Sequence, residues 1–164
     1  MKTLYLLRHA KSSWDDTSMP DRDRPLEARG KRDAAKMGKR WSQQHGKPDL
    51  IMSSPAARAL ATAKVVAKGL EYKLENITVN DRLYAATVDA LIIVIEALDD
   101  KLERVMLVGH NPAFTELAHH FDSGITHMPT CALAEFRFDA KSWSGVGQAR
   151  PARTIFDSPK RSSA

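Results

Sequence analysis

Apolar positions along the chain fall into two rhythms. Short unbroken runs alternate with longer stretches in which apolar residues recur at roughly helical spacing. Residues 4–7 (LYLL) form the first run, continuous rather than alternating, as in a central strand buried on both faces. Residues 12–24 are polar, carry Pro20 and several aspartates, and read as a long loop. Pro25 then opens a helix over 26–45, with Leu26, Ala34, Met37 and Trp41 as its apolar stripe and Gly46 and Pro48 as its stop. The same reading gives a strand at 49–53, an alanine-rich helix at 55–69, a short strand at 77–79 and an apolar helix at 89–98. A strongly apolar strand follows at 104–108, then a helix from Pro112 through Phe121, and strands at 134–138 and 152–156. Residues 1–157 read as one domain, and 158–164 as a small, polar, frayed tail.

Strands alternating with helices predict an α/β three-layer sandwich, a mainly parallel central sheet with helices on both faces. In such sheets the site lies at the carboxyl ends of the strands, where the chain turns towards a helix. Three of these ends share one chemistry. The first strand runs into Arg8 and His9, the second into "SSPAAR" with Arg58 in the first turn of the next helix, and the strand at 104–108 into "GHNPAF" with His110. Taken singly, Arg8 could pair a surface carboxylate, His9 and His110 could shape turns, and Arg58 could be solvated. Parallel strands, however, bring all four to one pocket. Arginine offers a planar fork of donors suited to phosphate oxygens, helix starts add backbone N–H groups, and histidine can act as nucleophile or acid/base. No glycine-rich Walker loop is present, so the best-matched ligand is a single phosphoryl group.

Composition narrows this only slightly. The 164 residues carry a formal net charge of +5, but the basic residues are scattered, which favours a small anionic group over nucleic acid. No apolar run approaches the roughly 18 residues of a membrane span, and Arg8 and His9 interrupt the only apolar stretch near the N-terminus; no membrane or secretory segment is expected. Cys131 is the sole cysteine, so a reducing cytoplasm is the expected setting. His119 and His120 are adjacent on a helix and point apart, and no cysteine cluster exists, so neither a metal nor another cofactor is expected. "CALAEFR" fits the C-x5-R spacing of a cysteine phosphatase, but it reads as a strand, along which Cys131 and Arg137 would stand about 20 Å apart.

The ordered set "LLRHAKSSW", "DRPLEARG", "PDLIMSSPAARALATA", "LYAAT", "VMLVGHNPAF" and "MPTCALAEF" resembles the histidine phosphatase superfamily, in particular its SixA-type phosphohistidine phosphatases. The resemblance implies a phosphoglycerate mutase-like fold, with His9 as the phosphorylated nucleophile and Arg8, Arg58 and His110 around the phosphoryl oxygens. It implies a phosphorylated protein as partner, with a small phosphate ester as the alternative substrate and a weakly catalytic phosphate-binding module as the alternative from another class. Trp14, Ser12, Asp81 and His127 are rim candidates. The chain departs from the wider superfamily in four places. Ala10 stands where glycine is usual, and Asp15 where mutase-like members carry a phosphate-contacting asparagine. Ala85 stands where mutases and many phosphomonoesterases carry a glutamate acid. An alkoxide leaving group needs that acid, whereas an imidazole does not, so its absence points to phosphohistidine. Glu27 also stands where a hydroxyl cap would be usual.

Overall fold

The computed structural model describes residues 1–160; 161–164, the end of the expected tail, lie outside the described residues. Among the described residues, six strands form one sheet: β1 (Lys2–Arg8), β2 (Leu50–Ser53), β3 (Thr78–Val79), β4 (Arg104–Gly109), β5 (Leu133–Phe138) and β6 (Arg153–Asp157). Their spatial order is β3-β2-β4-β1-β5-β6. The pairings from β3 through β1 are parallel, and β5 and β6 are added antiparallel at the far side. The helices are α1 (Ala28–Gln44), α2 (Ala57–Gly69), α3 (Val88–Glu96) and α4 (Ala113–Phe121).

The continuous apolar run in β1 is explained by its two faces. Leu4 and Leu6 pack with Phe114 and Leu117 of α4 and Leu91 of α3, whereas Tyr5 and Leu7 pack with Met37 and Trp41 of α1 and Val66 of α2. Val105 and Leu107 of β4 join the first cluster, Met106 and Val108 the second. Successive side chains point to opposite faces, so a strand covered on both sides must be apolar at every position. Burying a side chain such as Leu6, which is 0% exposed, contributes about 1.5–3 kcal/mol. Trp143 closes one end of the first cluster, its indole Nε1 donating to the Leu102 carbonyl at 2.8 Å.

One helix begins later than its apolar pattern suggests. Leu26 is bridged to Ser12, and the Glu27 amide donates to the Lys11 carbonyl at 3.1 Å, so both residues are held extended against the loop after β1. The helix starts only at Ala28, with Glu27 at its N-cap making no side-chain capping bond. Gly30 permits this closeness: a Cβ there would stand 2.1 Å from the Lys11 carbonyl oxygen. The start of the expected tail is anchored. Lys36 Nζ donates to the Pro159 carbonyl at 2.8 Å, and Arg40 Nη1 donates to Asp157 Oδ1 at 2.8 Å and the Ser158 carbonyl at 3.0 Å.

Candidate active site

The ladder of β1, β4 and β2 continues past the strand ends and draws three turns together. The His9 amide donates to the Gly109 carbonyl at 3.0 Å, and the Ser54 amide to the Val108 carbonyl at 2.9 Å. On α2, Thr62 lies one turn after Arg58; its hydroxyl donates to the Arg58 carbonyl at 2.7 Å and accepts from the Ala10 amide at 2.9 Å. Ala10 is fully buried in the core beneath α1 and α2, so the methyl that replaces the usual hydrogen is packed there. Arg8, His9, Arg58 and His110 line one open cavity of about 320 Å³, with Lys11, Ser12, Trp14, Arg24, Asn111 and Thr130 completing it.

His9 is held in one tautomer. Its Nδ1 lies 2.7 Å from its neighbour Ala10's carbonyl oxygen, which can only accept, so Nδ1 carries the ring hydrogen and Nε2 keeps a lone pair. Burial pushes its pKa down to about 3, with the positive charge of nearby Arg58 and Arg8 acting in the same direction. The His110 ring stands 5.1 Å away, centroid to centroid. Burial, then Arg58, pushes its pKa down to about 4. Its Nε2 is 2.7 Å from the Ser54 hydroxyl, which also accepts from the Ala56 amide. If Ser54 donates to Nε2, the His110 ring hydrogen sits on Nδ1. Among the described residues, His110 Nδ1, Arg8 Nε and Arg58 Nε are buried without a hydrogen-bond partner. Buried donors ordinarily find an acceptor; Arg8 Nε and Arg58 Nε are two such donors on residues lining one cavity, and His110 Nδ1 is a third when Ser54 donates to Nε2.

The sequence missed a carboxylate. Asp21, in the polar loop after β1, accepts from Arg58 Nη2 at 2.9 Å and from Arg24 Nε at 3.1 Å, while its backbone carbonyl accepts from Arg58 Nη1 at 2.6 Å. Tyr84 donates its hydroxyl to Asp21 Oδ2 at 2.6 Å and sets its ring edge-on to His110 at 5.5 Å. The Tyr84 hydrogen bond, with those from Arg58 and Arg24, holds the Asp21 carboxyl well below the usual carboxylate range. Asp21 therefore orients Arg58 and leaves its Nε edge unpaired. Four aspartates crowd residues 15–23, and nothing in their spacing singles out Asp21.

The rim candidates divide. Ser12 and Trp14 line the cavity; Arg24 links them, with Nη1 donating to Ser12 Oγ at 2.8 Å and its guanidinium 3.5 Å from the Trp14 ring centroid. Asp81 does not line it. It sits in a short 3-10 turn after β3, its side chain 85% exposed and 3.8 Å from Arg22. His127 lines a neighbouring cavity instead, because its loop packs towards the start of α1. Asp15 is exposed and outside the cavity. Ala85 is exposed with φ 53°, a left-handed conformation uncommon for a residue with a Cβ. Cys131 is buried in the core, its thiol pushed up to about 12 by burial, while Arg137 lies on β5 with Nε donating to Glu135 at 2.8 Å; the two do not share a loop. No group of three or more His, Cys, Asp or Glu side chains among the described residues is arranged to hold a metal ion. No helix among them is long and apolar enough to cross a membrane.

Neutral buried histidines carry a consequence for stability. The unfolded chain takes up a proton at His9 near the free-histidine value of about 6.5, whereas the folded chain resists until about pH 3. Above pH 7 the group has no effect; as pH falls through 6.5 the unfolded state binds more protons and stability drops, by up to about 1.4 kcal/mol per pH unit for one histidine. His110 acts in the same direction. Urea denaturation between pH 7 and 4.5 is expected to show this decline, and His9→Gln to flatten it. An unchanged slope in that variant would show that His9 is not buried neutral.

Comparison with known proteins gives a consistent picture. Residues 4–85 match the histidine phosphatase superfamily (branch 1). An uncharacterised chloroplastic protein of Arabidopsis thaliana is 33% identical over 150 residues, 87% of this chain and 69% of that protein. Among solved structures, SixA from Agrobacterium tumefaciens aligns with TM-score 0.79 at 27% identity, covering 94% of this chain and 97% of that one. SixA from Nakamurella multipartitia shares the fold with TM-score 0.85 at 22% identity, covering 98% and 97%.

Proposed function

The chain belongs to the histidine phosphatase superfamily and is a phosphatase with a SixA-type architecture, and from that premise we propose that it removes phosphate from phosphohistidine on a protein, by way of a phosphohistidine intermediate on its own His9. The carrying observation is the His9 imidazole, neutral, with Nδ1 anchored to the Ala10 carbonyl and a lone pair on Nε2, lining one cavity with Arg8, Arg58 and His110. A cytoplasmic setting belongs to the same proposal.

In the first step His9 Nε2 forms a bond to phosphorus as the bond to the substrate's imidazole nitrogen breaks. Arg8, Arg58 and His110 hold the phosphoryl oxygens and stabilise charge on them in the transition state. The leaving imidazole already carries a hydrogen on its other nitrogen when its ring is protonated, so it departs neutral and requires no acid from the enzyme. Water then attacks the phosphorus on His9, the P–N bond breaks, the electron pair returns to Nε2, and phosphate leaves. The positive groups are the protein's own, so no step calls for a metal.

Ala85, where a glutamate acid would be expected in a phosphomonoesterase, supports the substrate assignment, as does the exposed position of Asp81 outside the cavity. The test offers the protein a phosphohistidine-bearing carrier protein beside an alkyl phosphomonoester. Release from phosphohistidine is expected to be faster by about 10²-fold or more, the usual contribution of a missing general acid. Faster release from the ester would make this a small-molecule phosphomonoesterase. Tight phosphate binding with no turnover of either would make it a binding module.

A further inference from the structure

A second cavity, of about 350 Å³, opens beside the first, and Arg8, Lys11 and Thr130 belong to the walls of both. Its charge is one-sided. Arg29 in the first turn of α1 and Lys160 face it together with Arg8 and Lys11, against the single carboxylate of Asp33, and the His127 imidazole lies on the same wall. Asp33 stands 3.7 Å from Arg29, so at most one cation is offset, and loosely. The far wall is built rather than draped. Pro159 is buried, and Lys36 and Arg40 pin residues 157–159 to α1, which fixes the backbone that carries Lys160.

We propose that this groove is a second anion subsite, which takes a carboxylate or phosphate carried by the same substrate molecule whose phosphoryl group enters the first cavity. The inference rests on the phosphatase reading of that first cavity and extends it to the substrate's own charge pattern. Arg8 is the hinge of the arrangement. Its Nη1 is fixed by the Met128 carbonyl at 3.0 Å, and it lines both cavities, so the two anions would bind on either side of one guanidinium. For a protein substrate this means acidic residues flanking the phosphohistidine; for a small molecule it means a second phosphate. A cationic surface that merely attracts ligands favours a bisphosphate in proportion to its charge, and that preference fades as salt screens it. A subsite rewards only ligands with two anions.

The experiment uses the whole chain and reads binding separately from turnover. Methyl phosphate and propane-1,3-diyl bisphosphate are titrated by calorimetry, and phosphohistidine peptides with glutamate or serine flanks are compared by kcat/KM. In the wild type the two-anion member of at least one pair is expected to lead by about tenfold, the equivalent of about 1.4 kcal/mol. In the double variant Lys160→Glu, His127→Glu that lead should shrink to about twofold, with methyl phosphate affinity unchanged. A lead confined to the bisphosphate identifies a small-molecule source for the second anion, and one confined to the acidic peptide a protein source; either supports the subsite. No lead in either pair overturns it, as does a lead that vanishes in high salt, which is the mark of attraction by net charge alone. Bisphosphate preference without any hydrolysis would remove the phosphatase reading and leave the subsite standing. Hydrolysis without preference would do the reverse.

Discussion

His9→Ala will lose hydrolysis by roughly 10⁴-fold or more, the scale on which deleting a covalent nucleophile acts. The proposed chemistry leaves no substitute. Nε2 of His9 is the one nitrogen in the cavity with an assigned lone pair, because Nδ1 is committed to the Ala10 carbonyl. His110, 5.1 Å away between centroids, is tied to Ser54. Wild-type protein incubated with labelled phosphohistidine carrier should retain label that is lost in acid and stable in alkali, as expected of a P–N bond. The variant should retain none. It should still bind phosphate, since Arg8, Arg58 and His110 remain, and that binding also reports that the cavity has formed. Acid-stable label, or label surviving in His9→Ala, would falsify the intermediate.

Arg58→Ala is the second large effect, and Asp21 makes it unusual. Arg58 Nη1 and Nη2 are both spent on Asp21, and Nε alone is unpartnered. Truncation therefore removes a cation and leaves the Asp21 carboxylate, still held by Arg24 and Tyr84, without the guanidinium that offsets its charge. Turnover should fall by about 10²–10³-fold, as when one transition-state donor is lost, and phosphate inhibition should weaken with it. Adding Asp21→Ala should recover part of the phosphate affinity, because the repelling charge is gone, while turnover stays low. Two neighbours in contact are expected to be non-additive in this way. Unchanged phosphate affinity in Arg58→Ala removes Arg58 from the site; a double variant no better than the single removes Asp21 as its partner.

The placement of Arg8, His9, Arg58 and His110 was legible in the sequence because each follows an apolar run strong enough to be read as a strand, and parallel pairing does the rest. Register alone puts Arg8 opposite Gly109, one residue before His110. Asp21 and Tyr84 were not legible in the same way. Their roles depend on how a polar loop folds back across the sheet, and the Asp21–Arg58 contact spans 37 residues with no periodicity to announce it. Asp81 drew attention because it follows a strand, yet β3 is two residues long and its turn faces Arg22. The late start of α1 has the same origin. Leu26 fits a helical stripe, but its backbone is captured by the loop after β1.

Cys131 has a bearing on the conditions under which such a chemistry can run. Phosphatases that attack through a thiolate are silenced when peroxide oxidises that sulfur, and the thiolate fraction sets how fast. In the proposed chemistry the attacking atom is an imidazole nitrogen, and the sole cysteine is fully buried, with its thiol pushed up to about 12 by burial. The chain thus presents no reactive thiolate through which peroxide could switch the reaction off. Dephosphorylation by this protein would continue during oxidative stress, while thiolate-based phosphatases in the same compartment stall.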